Sequence, residues 1–143
     1  MGQNSSDKLH LEHKFWSSEI GFWKEEITFL KKILHKRNEK KGRKETKEKI
    51  SKYNNHLDHN LRFLDALEET IKTHELFISE MMQIVKESDD IGIPENEKGS
   101  IAAAVDIVDK NLTDHEKTKK HVKKFRKRYT KLRNKIFKII NLA

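Results

Sequence analysis

A chain of 143 residues has the length of one domain, and 38% charged residues against 34% hydrophobic ones put it on the apolar-poor side of globular composition. The lack of cysteine excludes a disulfide framework and thiolate metal ligands, and no apolar run approaches the ~20 residues of a membrane-spanning helix. Thirty-one basic residues against 23 acidic ones give a formal charge of +8, which admits an anionic partner without requiring one.

One proline and five glycines leave few places to turn, so the elements must be long. The N-terminal stretch has no apolar signal segment, and the expected setting is cytoplasmic. Residues 1–6 read as a disordered tail. Gly2 with Ser6 also fits the short N-myristoylation pattern, a loosely specified match. Ser5, Ser6 and Asp7 are the N-cap candidates for a first helix over about 7–38.

That helix carries an apolar seam in alternating steps of three and four residues: Leu9, His13, Trp16, Ile20, Trp23, Ile27, Leu30, Leu34. Beside it run two rows of heptad spacing, Phe15, Phe22 and Phe29, and Glu12, Glu19 and Glu26. A charged turn broken by Gly42 leads to a second helix over about 45–88. Its seam is Ile50, Tyr53, Leu57, Asn60, Leu64, Leu67, Ile71, His74, Ile78, Met81, Val85. A second break holds Gly92, Pro94 and Gly99, and Pro94 followed by Glu95 and Glu97 suits a helix start.

The third helix, about 95–141, keeps the same rhythm from Ile101 to Ile139 through Asn111, His115 and Thr118. The pattern predicts an all-α fold, a long antiparallel three-helix bundle with coiled-coil-like packing. A competing arrangement has four helices, the third broken near Thr113, where Thr113 to Glu116 could form a capping box.

In an antiparallel bundle with short turns, His13, His74 and His115, one seam histidine per helix, fall at nearly the same height. One reading is a polar core layer of imidazoles hydrogen-bonded to Glu, Asn or Thr, which fixes helix register. Another is a metal site for Zn, Fe or Mn, with His13, His74 and His115 as ligands and Glu12 and Glu75 at its edge. Neutral imidazoles and carboxylates suit those ions, although the Glu-x-x-His pairs of di-iron bundles are missing. His10, His35 and His121 read as surface residues.

After Glu116 no acidic residue follows, and residues 117–138 hold twelve cations. Lys119, Lys120, Lys123, Lys124, Arg126, Lys127, Arg128 and Lys131 are the candidates for holding an anionic partner, either nucleic acid or a membrane surface. A solvated helical face accounts for the same run. At the other end, residues 77–85 and 101–105 form an apolar tip that the shorter first helix does not reach, which predicts a homodimer there.

The run Leu11 to Ile27, with His74-Glu75 later, resembles small helical proteins of Bacteroidetes-type bacteria that share this aromatic and glutamate pattern. The resemblance implies a bacterial cytosolic origin and lends no catalytic residue. With no nucleophile–base pairing or phosphate-binding loop, the expectation is a non-enzymatic binding or scaffolding bundle.

Overall fold

A computed structural model of the protein describes residues 2–39, 44–91 and 98–141, with side-chain surroundings for 7–38, 44–84, 86–87, 110 and 112–141. The described residues form three α-helices and no strand: α1, Gly2–Glu39; α2, Lys44–Ile91; α3, Lys98–Asn141.

Each helix buries the seam that its period defines. Buried positions recur every seventh residue, Ile20, Ile27 and Leu34 on α1, Leu57, Leu64, Ile71 and Ile78 on α2, and Val122, Tyr129 and Ile136 on α3. All but Ile78 join Trp16, Trp23, Ile50 and Phe125 in a core shared by all three helices. Burying one such side chain contributes roughly 1.5–3 kcal/mol, which is what holds these long helices when their own propensity is modest. At mid-height the core is aromatic. Trp23 meets Phe125 at 5.0 Å between ring centres, and Phe125 stacks on Phe63 at 5.6 Å and on Tyr129 at 5.7 Å.

One expectation is corrected and one is met. The tail expected over residues 1–6 is helical from Gly2 onward, because that stretch has no proline and nothing sterically ends the helix before the polar caps. The continuous third helix is found as expected: α3 runs unbroken from Lys98 to Asn141, without the alternative break near Thr113. Asp114 and Thr118 instead serve the helix interior, with the Thr118 hydroxyl donating to the Asp114 carbonyl at 3.0 Å. The first turn, Pro94, the side chains of 101–109 and those of Val85 and Asn111 lie outside the described residues, and with them the 101–105 side of the expected dimer tip. No helix among the described residues is long and apolar enough to cross a membrane.

Candidate functional site

Among the described residues, the buried polar side chains of the core are His13, His115 and Thr118. His13 Nε2 lies 3.1 Å from His115 Nδ1, with the pair enclosed between α1 and α3. Trp16, one turn along α1 from His13, covers His115 at 4.8 Å between ring centres and His13 at 5.8 Å. Each imidazole has a carboxylate behind it. His13 Nδ1 donates to Glu75 Oε2 on α2, and His115 Nε2 is 3.4 Å from Glu12 Oε2 on α1. His10 Nδ1 donates to the second oxygen of Glu75. The result is one continuous array, Glu75–His13–His115–Glu12, with His10 at its outer end.

Burial decides the electrostatics. It pushes the His115 imidazole below the ordinary histidine range, the charge of nearby His13 pushes the same way, and Glu12 and Glu116 oppose both. For Glu75, burial works to raise the carboxyl, but hydrogen bonds from His13 and His10 and their positive charge outweigh it and hold the group below its ordinary range. The array opens on one side into a groove of about 600 Å³ between α1 and α2, lined by His10, His13, Ser17, Ile71, Glu75 and Leu76. Solvent protons therefore reach Glu75.

The structure thus brings together His13, His115, Glu12 and Glu75 of the five candidate metal ligands and sets His74 apart. His74 is half-buried and its Nδ1, fully enclosed, has no hydrogen-bond partner. Burial lowers its proton affinity, with the charge of Asp114 opposing. Both nitrogens of His13 are occupied by hydrogen bonds, and among the described residues no three His, Asp or Glu side chains are grouped to hold a metal ion. Zn, Fe or Mn would have to break the array to find ligands. His10, expected at the surface, belongs to the array instead. The signal that could have found it is its three-residue spacing from His13, which puts both rings on one face of α1.

A second set of contacts continues the array along α1 and α3. Arg126 forks onto Glu19 with N–O distances of 3.0 and 2.5 Å, and the Tyr129 hydroxyl donates to Glu26 at 2.5 Å. Arg133 reaches Glu26 at 3.5 Å, and Lys119 lies 4.0 Å from Glu12. Two of the cations singled out for an anionic partner are therefore turned toward α1. Arg126 is held by Glu19 and Lys119 stands beside Glu12, whereas Lys120, Lys123, Lys124, Lys127, Arg128 and Lys131 point outward.

The outer face of α1 is apolar as well. Leu11, Phe15, Phe22 and Phe29 are 69, 60, 57 and 62% exposed, and their spacing of four, seven and seven residues puts all four on one stripe. Compared with protein-family models, curated proteins and solved structures, the chain matches none.

Proposed function

We propose that the protein is a non-enzymatic helical bundle that works by receiving a partner along the outer stripe of α1. The single observation that carries this reading is the set of four large apolar side chains on that stripe, each more than half exposed. Scattered exposed apolar residues need no explanation, but three phenylalanines in heptad register form a seam that the described residues leave more than half uncovered.

The polar array supports the same reading from the inside. Its donors and acceptors are committed to one another, so it acts to hold three helices in register and present the stripe on a rigid face. The helix course in this reading is up–down–up with antiparallel neighbours. From His13 to Lys31 along α1, partners on α2 run backward from Glu75 to Asp58. From Glu12 to Glu26, partners on α3 run forward from His115 to Arg133.

The test is photochemical. Benzophenone-alanine placed at position 22 of the full chain is expected to give an adduct of discrete mass under native expression, and the same group at exposed Lys52 on α2 none. No adduct from position 22, or an equal one from position 52, refutes the proposal.

A further inference from the structure

We infer that the partner is a second copy of this chain, its α1 lying beside the first in the opposite direction, with Phe22 of each copy over Ser18 of the other. The inference rests on the partner-binding reading and adds the partner's identity and register.

Area is the first argument. A phenylalanine offers on the order of 200 Å² to burial. Four stripe residues more than half exposed therefore supply on the order of 1,000 Å² over two copies, before their neighbours are included. That approaches the lower bound of specific interfaces, over a stripe of roughly 27 Å at 1.5 Å per residue.

Charge is the second. In a two-fold pair the same patch serves both copies, so residue i meets j and j meets i, and like flanks face one another. When facing positions sum to 39 or 40, Leu11 meets Phe29 and Ser18 meets Phe22, while Lys14 meets Glu25 and Asp7 meets Lys32. Every pair occurs twice. A parallel arrangement instead sets Lys14 against Lys14 and Glu25 against Glu25, which like-charge repulsion disfavours. The other flank, Glu12, Glu19 and Glu26, is already matched by cations of α3 and adds little repulsion.

Shape is the third. Between Phe15 and Phe22 the outer face holds Ser18 with Gly21 beside it, and a Cβ built on Gly21 meets nothing within 4 Å. The bundle itself gives no packing reason for that mid-helix glycine. The hollow it leaves lies where the register brings the partner's Phe22.

Sedimentation equilibrium of the full chain tests this, because none of the substituted side chains belongs to the core and helicity should be unchanged. The wild type is expected to dimerise in the micromolar range, and Phe22→Ser to weaken association on the order of 100-fold, the effect of losing a central aromatic anchor. Lys14→Glu and Glu25→Lys should each weaken self-association on the order of 10-fold. An equimolar mixture of K14E and E25K chains should recover wild-type affinity, since all four cross-pairs are again opposite in charge.

A wild type still monomeric at several hundred micromolar, or a dimer indifferent to Phe22→Ser, overturns the inference. A K14E and E25K mixture that associates no better than either chain alone refutes the register. If position 22 crosslinks only to a different protein while the pure chain stays monomeric, the second-copy inference falls and the partner-binding reading stands. No adduct of either kind sinks both.

Discussion

His115 is 1% exposed yet both its nitrogens face polar atoms, and counting protons explains what that requires. Two imidazoles between two carboxylates make three hydrogen bonds, and two neutral rings supply two N–H donors. The complete array therefore carries one proton more than two neutral rings hold. A second extra proton turns N–H against N–H across the 3.1 Å contact. Replacing His115 with Phe keeps a ring against Trp16 but strands His13 Nε2 and leaves Glu12 only Lys119. We expect a loss of about 1–3 kcal/mol, read as a lower urea midpoint at unchanged slope. An unmoved midpoint would show that the array contributes nothing to stability. Tyr129 makes a narrower case. Burial first, and then its bond to Glu26, hold the phenol far above its ordinary range, so it stays a donor. Tyr129→Phe preserves the stack on Phe125 and should cost about 1.5–3 kcal/mol in the same measurement, the range for a hydrogen bond to a charged group.

Between elements, α1 and α3 are joined by a ladder that repeats with the heptad. Glu12 stands by Lys119, Glu19 by Arg126 and Glu26 by Arg133, each pair 107 positions apart. The Arg126 side chain is 44% exposed, so water and salt screen its pair with Glu19. A double-mutant cycle of Glu19→Gln and Arg126→Gln should give a coupling of about 0.5–1 kcal/mol that fades in 1 M salt. A coupling independent of salt would contradict the surface-pair account. Gly21 makes a separate prediction for α1. Alanine there meets open space and raises helix propensity, so Gly21→Ala should stabilise the monomer by about 0.5–1 kcal/mol in dilute thermal melts. A lower melting temperature would mean that position 21 already packs against something.

Much of this was legible because phase survives in sequence. The seams gave the three helices, and two rows of opposite charge seven residues apart held the ladder in plain view. Phase does not fix the hand of a bundle. His74 and Glu75 straddle the seam between Ile71 and Ile78, one toward each neighbouring helix, and only the actual arrangement turns Glu75 to His13 and leaves His74 near Asp114. His10 was legible only through its three-residue spacing from His13, which sets both rings on one face of α1 without saying that Glu75 stands opposite. Helix ends were also less legible, since weak caps such as Ser5 and Ser6 compete with continued helix on small energy differences.

At the scale of the whole molecule, these local preferences add into one pH response. The groups packed around the array are His10, Glu12 and His13 from α1, His74 and Glu75 from α2, and Asp114, His115 and Glu116 from α3. His74 and His115 bind protons less readily folded than at their ordinary value of 6.5, so the unfolded chain takes up more protons as acid is added. Their contribution is complete above that value and is lost as pH falls below it. Glu75 acts in the same direction lower down. Its folded value lies below the ordinary 4.5, so its contribution holds above 4.5 and disappears as pH drops through the folded value. Self-repulsion grows alongside, because the chain already carries a formal charge of +8 and every protonation adds to it. The urea midpoint should therefore decline between about pH 7 and pH 5 and fall again below about pH 4.5. A midpoint that is flat or rising over the first interval would mean that burial does not hold these two imidazoles neutral, and the array would then need a different proton inventory.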